Sequence, residues 1–275
     1  MMQIAIIADP HIGAKTDDFV ANWNAAVAHV NDLDVAFTIV LGDLTLDGAN
    51  LEADLIFARQ SLDTLRRPVL VLPGNHDVGD ISRASRQPAS REKLERWNRH
   101  LGTDRWICDD IPGWRLIGID SQVLATGLAE EAEQWHWLDE AFGGRGERTP
   151  VLFTHMPLFL ENWDEADRPY WAIPTAARHR LRMLVESTGT AAIVSAHIHR
   201  TLDLPGGDGP RQIWAAATSF LSRDASMPSQ PGAANLGITI LDFTDGALKV
   251  RFDSVVGISE TYIEDYNGSI YPKPE

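Results

Sequence analysis

The chain alternates short, continuously apolar runs with longer segments whose apolar residues recur every three or four positions. Ile4 to Ala8 is apolar throughout, which predicts a strand covered on both faces. Helical spacing follows at Phe19, Val20, Trp23, Ala26, Val27 and Val30, with Asp17-Asp18 placed to cap that helix. Val35 to Leu41 predicts a second strand, Leu51 to Leu65 a second helix, and Pro68 to Leu72 a third strand. This β-α-β-α-β order calls for a largely parallel, doubly wound sheet.

Further along, helices are predicted over Arg91 to Leu101, over Glu130 to Phe142 (stopped by Gly143-Gly144) and over Thr175 to Ser187. Strands are predicted over Trp106 to Ile107, Trp114 to Ile119, Val151 to Thr154 and Ala191 to Ser195. A change of pattern then gives strands at Ile213 to Ala217, Leu236 to Phe243 and Leu248 to Val255, the last two joined by a turn at Thr244-Asp245-Gly246. A second sheet packed on the first accounts for these C-terminal strands. No linker, low-complexity tract or internal repeat interrupts the pattern, so residues 1–260 read as one domain. Residues 261–275 read as a tail, its Pro- and Gly-bearing part from Tyr266 to Glu275 running over the surface.

The 275 residues, 44% of them hydrophobic, suffice for one large α/β domain. A formal net charge of −15 gives no overall attraction for nucleic acid or an anionic membrane. No apolar run approaches spanning length, and the N-terminus enters the first strand without a secretory pattern, so the expected compartment is the cytoplasm. The single cysteine, Cys108, excludes a disulfide within the chain and a cysteine zinc cluster, and reads as a small strand residue.

The chemistry lies where predicted strands end. Five such ends carry Asp9-Pro10-His11, Gly42-Asp43, Gly74-Asn75-His76-Asp77, Thr154-His155 and Ala196-His197-Ile198-His199. Ligands in open α/β sheets bind at the carboxyl ends of strands, so these loops can converge. Taken singly, each Asp or Asn is an ordinary turn residue and each His an ordinary surface residue. Five coincident accidents are a poor account of the set. Oxygen and nitrogen donors without thiolate suit manganese, iron, zinc or cobalt.

In order and spacing, these stretches resemble the D-x-H, G-D, G-N-H-D/E, H and G-H-x-H pattern of the calcineurin-like (binuclear) metallophosphoesterases. The match covers residues 9 to 199 and departs only at Ala196, where the family usually has Gly; a Cβ there limits positive φ. The resemblance implies a four-layer α-β-β-α sandwich of two packed mixed sheets flanked by helices, and two transition-metal ions. Asp9, His11 and His199 would hold one ion, Asn75, His155 and His197 the other, and Asp43 would bridge them. Two divalent ions against Asp9 and Asp43 leave the site at about +2, enough to draw phosphate into an acidic protein. A hydroxide shared by the ions would then attack phosphorus in line. His76 would serve near the leaving group as general acid or electrostatic stabiliser, and Asp77 would orient an imidazole.

Leu46 stands where purple acid phosphatases place a tyrosine, three residues after the bridging Asp. Gly42-Asp43-Leu44-Thr45-Leu46-Asp47-Gly48 lacks the arginine of the protein serine/threonine phosphatases. The stretches look most like bacterial phosphodiesterases, a branch that includes class III cyclic-nucleotide phosphodiesterases and glycerophosphodiesterases. A phosphodiesterase for a small phosphate ester is therefore expected, with a phosphomonoesterase or nucleotide hydrolase as alternative. A non-catalytic metal-binding module is the reading from another class, disfavoured because every ligand and His76 are present. The unpatterned segment 156–174, with Phe159, Trp163, Tyr170 and Trp171, is a candidate lid. Phe159, Trp163, Arg83 and Arg86 are candidate pocket residues. No pattern along the chain specifies the oligomeric state, and a homodimer is a candidate partner on general frequency only.

Overall fold

The computed structural model describes residues 2–207, 209–244 and 246–266. β1 (Met2–Ile7), α1 (Val20–Asp32), β2 (Thr38–Leu41), α2 (Glu52–Leu62) and β3 (Val69–Leu72) follow one another in the predicted order. β1, β2 and β3 pair in parallel. A one-turn helix α3 (Asn75–Val78) and then α4 (Arg91–Leu101) lead to β4 (Trp106–Cys108) and β5 (Trp114–Ile119). α5 (Ala129–Gly143), β6 (Thr149–Thr154), α6 (Thr175–Ser187) and β7 (Ala192–Ser195) come next, then β8 (Leu202–Leu204) and β9 (Arg211–Trp214). The last strands are β10 (Ile238–Thr244) and β11 (Ala247–Asp253).

Two mixed sheets result, ordered β11-β10-β1-β2-β3 and β4-β5-β6-β7-β9-β8. The continuous apolar run of β1 reflects two different covers. Ala5 and Ile7 pack with Trp23, Val27 and Val30 of α1, Leu55 of α2 and Trp97 of α4. Ile4, Ile6 and Ala8 face the other sheet, among Trp106, Leu116, Phe153 and Val194. On the outer face of the second sheet, Ile117, Leu152 and Ile193 pack on Trp135 and Leu138 of α5 and Leu181 and Val185 of α6. Four layers, α-β-β-α, are thus held by three apolar interfaces. Each fully buried large side chain in them stabilises the fold by about 1.5–3 kcal/mol. The indole N–H of Trp106 also donates to the Val71 carbonyl at 3.0 Å, joining the two sheets by a hydrogen bond.

Three expectations need correction. The first sheet is not doubly wound, because helices cover one of its faces and the second sheet takes the other. The two C-terminal strands do not belong to the second sheet: β10 pairs antiparallel with β1, and β11 extends that edge. Residue 245, at the centre of the predicted turn between them, lies outside the described residues, although Thr244 pairs with Ala247 as a hairpin requires. Asp17-Asp18 does not cap α1. Phe19 occupies the cap position, and the Asp18 carboxylate accepts from the Thr16 hydroxyl instead. β8 escapes prediction because its three residues, Leu202, Asp203 and Leu204, are half-buried or exposed and too few to establish an alternation. Of the predicted tail, residues 263–266 form a short 3-10 helix, and residues 267–275 lie outside the described residues. Cys108 is buried between the sheets, and that burial pushes its thiol pKa up.

Candidate metal centre

β1, β2, β3, β6 and β7 all end at one edge of the sandwich, and the five predicted stretches form the loops there. Backbone bonds tie these loops together. Asp9 N–H donates to Gly42 O at 3.2 Å, His11 N–H to Asp43 O at 3.0 Å, and Ala196 N–H to His155 O at 2.9 Å. Asp9, His11, Asp43, His197 and His199 all have left-handed backbones, with φ between 44° and 70°. Such conformations cost an ordinary residue roughly 1–2 kcal/mol each. They turn each chain sharply, so that two residues of one short loop aim at the same point. Two glycines allow the loops to close. A Cβ on Gly42, at φ 80°, would sit 2.2 Å from His155 Nδ1, and one on Gly74 would sit 2.2 Å from Asp43 Oδ1. Ala196 does not disturb its loop as expected. It is not among the left-handed residues, which are its neighbours His197 and His199, and its side chain is buried between the sheets.

Asp9, His11 and His199 bring a ligand atom each into one group, and Asp43, His155 and His197 into another. His11 Nε2 lies 3.3 Å from His199 Nε2. The two groups meet at Asp43. Its Oδ1 accepts from the His76 N–H at 2.8 Å, while Oδ2 lies 3.6 Å from His11 Nε2 and 3.3 Å from His155 Nε2. Three of the four ligand imidazoles are oriented from behind by a backbone carbonyl. His155 Nδ1 donates to Leu41 O at 3.1 Å, His199 Nδ1 to Phe220 O at 2.6 Å, and His197 Nε2 to Tyr170 O at 2.6 Å. This leaves Nε2, Nε2 and Nδ1 respectively toward the centre, the outer-shell arrangement that fixes metal-binding tautomers.

Three buried atoms there have no hydrogen-bond partner: Asn75 Oδ1, His155 Nε2 and His197 Nδ1. Orphaned buried acceptors are costly in a folded protein, and a cation is the partner that would satisfy all three. The donor set therefore fits a metal pair. The titration behaviour without metal agrees. Burial, reinforced by the charge of Asp43, raises Asp9 to about 8. Burial and the charge of His155 lower His197 to about 3, and burial lowers His199 to about 4. Burial pulls His155 down, but the charge and hydrogen bond of Asp43, the charge of Asp9 and the Leu41 carbonyl together outweigh it and raise His155 to about 9. The set is short of positive charge.

His76 lies beside the two groups. Its Nδ1 donates to Leu46 O at 2.9 Å, and its ring meets that of His11 edge-on at 4.8 Å. Asp77 does not orient an imidazole. Its carboxylate accepts from the N–H groups of Leu44, Thr45 and Gly74 at 3.1, 2.8 and 2.8 Å and from the Thr45 hydroxyl at 2.6 Å. It fixes the Asp43 loop against the Asn75 turn, because a buried carboxylate is best satisfied by several backbone donors.

Cavities of 520 and 940 Å³ open over the centre. Arg83 lines the smaller and Arg86 the larger. Phe159 and Trp163 line neither. Their rings pack at 4.9 Å in the apolar layer between the second sheet and α6, where a loop running over an outer face must supply the cover. From the same segment, Tyr170 and Trp171 stand at the cleft instead. Sequence reasoning missed Phe220, whose ring stacks on His199 at 4.2 Å and whose carbonyl holds that imidazole. It also missed Ser219, whose hydroxyl donates to Asp9 O at 2.6 Å. Neither residue carries a ligand-type signal.

A two-sheet sandwich with two ligand groups joined through one carboxylate at its edge has the architecture of a binuclear metallohydrolase. The chain belongs to the calcineurin-like phosphoesterase family, which matches residues 2–201 and whose members use a dimetal centre. It is 27% identical over 204 residues to the serine/threonine-protein phosphatase CPPED1 of Bos taurus, covering 72% of this chain and 59% of that protein. It is 31% identical over 158 residues to the glycerophosphodiester phosphodiesterase GpdQ of Enterobacter lignolyticus, covering 54% of this chain and 50% of that protein. The fold is similar to that of the purple acid phosphatase PPD1 of yellow lupin, with a TM-score of 0.65, 12% identity and coverage of 91% of this chain and 51% of that one. Among the described residues, no helix is long and apolar enough to cross a membrane.

Proposed function

We propose that the protein is a metal-dependent phosphodiesterase acting on small phosphate esters. The observation that carries the reading is Asp43 Oδ2, placed within 3.6 Å of His11 Nε2 and 3.3 Å of His155 Nε2, so that one carboxylate oxygen serves both ligand groups. Two ions of manganese, iron, zinc or cobalt, when bound, would supply Lewis acidity and a hydroxide at neutral pH. The chain's own residues do the rest. Asp9, His11 and His199 hold one ion, Asn75, His155 and His197 the other, and Asp43 both. His76, on the wall of the larger cavity, faces the leaving oxygen and stabilises or protonates it. Asp77 keeps the Asp43 loop in register.

A phosphodiester presents two arms at phosphorus, and the two cavities over the centre give each a place. The similarity to GpdQ points the same way. The name of CPPED1 favours a monoesterase reading, including a phosphoprotein substrate, although the match spans 59% of that protein and residues 44–48, directly after Asp43, include no arginine. A panel separates the readings. Chelated protein should be inert toward bis(p-nitrophenyl) phosphate and recover with manganese. Among cyclic nucleotides, glycerophosphodiesters, phosphonate monoesters and simple monoesters, the diesters should be cleaved with the highest kcat/KM. Full activity in chelator would overturn the metal mechanism, and monoesters outrunning every diester would overturn the substrate class.

A further inference from the structure

The two cavities meet at Tyr170. Asn75, Asp80, Ser85, Tyr170 and His197 line both, whereas His11, Asp43, His76 and His199 line only the larger. The smaller chamber, of 520 Å³, sets Arg83, Asp167 and Arg168 among Ile81, Met156 and Pro169. The larger, of 940 Å³, sets Leu46, Trp171, Phe220 and Met227 beside Asp47 and Arg86, so the two differ in size rather than in polarity.

Tyr170 is held through its main chain and its ring face. Its backbone is left-handed at φ 72°, a costly conformation for an aromatic residue, and its carbonyl accepts from His197 Nε2 at 2.6 Å. The ring leans against the His197 ring at 5.0 Å and stands perpendicular to Trp171 at 5.2 Å. Yet 49% of the residue's surface is open, and the residue lines both chambers. A large ring tied to a ligand imidazole by its main chain and packed between two other rings, with half its surface unspent, is a fixed wall.

We propose that Tyr170 is the specificity-determining partition of this cleft. The departing alcohol lies in the larger chamber beside His76, and the arm that stays on phosphorus lies in the smaller chamber beside Arg83. The preferred substrate is then a diester whose leaving alcohol is bulky, a phenyl-bearing one included, and whose retained arm is small. Water adds its oxygen to phosphorus, the bond from phosphorus to the larger arm's oxygen breaks, and that oxygen leaves as the alcohol with one proton of the water. The product is the monoester of the smaller arm. This assignment rests on the phosphodiesterase reading.

The test uses 3-phenylpropyl propyl phosphate, whose two alcohols are of similar acidity, so that binding rather than leaving-group chemistry decides which bond breaks. With the manganese-loaded protein, 31P NMR should show propyl phosphate in about tenfold excess over 3-phenylpropyl phosphate, the scale of discrimination an apolar pocket supplies. Tyr170→Ala should bring the ratio close to one while bound manganese per chain stays unchanged, because the carbonyl that orients His197 belongs to the main chain. Tyr170→Phe should keep the ratio. Met227→Ala, on the far wall of the larger chamber and away from the ligands, should lower the ratio about threefold, and it decides the matter should Tyr170→Ala lose its metal. Equal products from the unaltered protein, or an excess of 3-phenylpropyl phosphate, overturns the partition and leaves diester hydrolysis standing. Hydrolysis of monoesters with neither product from the diester overturns the phosphodiesterase reading itself.

Discussion

In the half-site of Asp9, His11 and His199, the ligand atoms crowd one another. Two imidazole nitrogens lie 3.3 Å apart, and His199 Nε2 is 3.8 Å from Asp9 Oδ1. In the half-site of Asn75, His155 and His197, three atoms stand without a hydrogen-bond partner. The supports differ too. The first set is backed by Ser219 and Phe220, in the segment that leaves β9, so it hangs wholly on the sandwich edge. The second draws its His197 orientation from Tyr170, inside a segment of the chain without helix or strand. The wall of the cleft thereby supports both metal sites, Phe220 the first and Tyr170 the second. The second support lies in a long segment without helix or strand, so holding an ion and shaping the substrate cavity are coupled there through the less regular part of the chain.

The strongest way to break this comparison is to remove what the halves share. Asp43→Ala deletes the carboxylate oxygen that lies near both His11 Nε2 and His155 Nε2. Diester hydrolysis should fall by roughly a thousandfold or more, equivalent to about 4 kcal/mol of transition-state stabilisation. Bound manganese, measured by mass spectrometry of the desalted protein, should fall toward zero. Retention of two ions per chain would show that the carboxylate is not a shared ligand.

A milder change sharpens the asymmetry. Asn75→Ala removes one of the three orphaned acceptors and touches nothing in the other half. One ion should be held some 10–100-fold more weakly, the usual scale for loss of a supporting ligand interaction, while the other keeps its affinity. Titration with chelator should then remove manganese in two phases, only the weaker of them shifted from the unaltered protein. A parallel loss of both ions would mean that the halves behave as one unit.

How far the sequence carries is visible in the same two half-sites. The side chains that converge here follow strands that apolar runs announce, and the family resemblance those stretches carry brings Asp9, His11, Asp43, Asn75, His155, His197 and His199 together. The carbonyls that aim the imidazoles were not legible, because Leu41, Tyr170 and Phe220 act through main-chain atoms that any residue possesses. The left-handed turns at His11, His197 and His199 were equally hidden, since histidine is no marker of positive φ. Two-sided burial of β1 was read correctly from Ile4 to Ala8, but an apolar run cannot say whether the second cover is a helix layer or a sheet. For the same reason β10, apolar like any core strand, gave no sign that it returns to β1. Phe159 and Trp163 were assigned to the pocket for being aromatic in an unpatterned loop, where packing beneath α6 is the use made of them.

The smallest expected effect concerns stability in the absence of metal. Asp9, at about 8 when folded and 3.8 in the unfolded chain, keeps a proton through neutrality that the unfolded state has released. His155, at about 9 against 6.5, does the same. His11, His197 and His199, held down by burial, are neutral when folded but half-protonated at pH 6.5 in the unfolded chain, so they oppose this slope at pH 6.5 and fall away as pH approaches 8. Above about pH 7 the folded chain therefore binds more protons than the unfolded chain, and its stability must fall as pH rises, by up to about 1.4 kcal/mol per pH unit for each proton. Manganese replaces those protons and binds more tightly as they become easier to lose. Thermal unfolding in chelator should give a midpoint that declines between about pH 7 and 8, and the stabilisation conferred by manganese should grow over the same interval. A chelated protein that gains stability with pH in this window would show that Asp9 and His155 are not the protonated pair from which the half-sites are built.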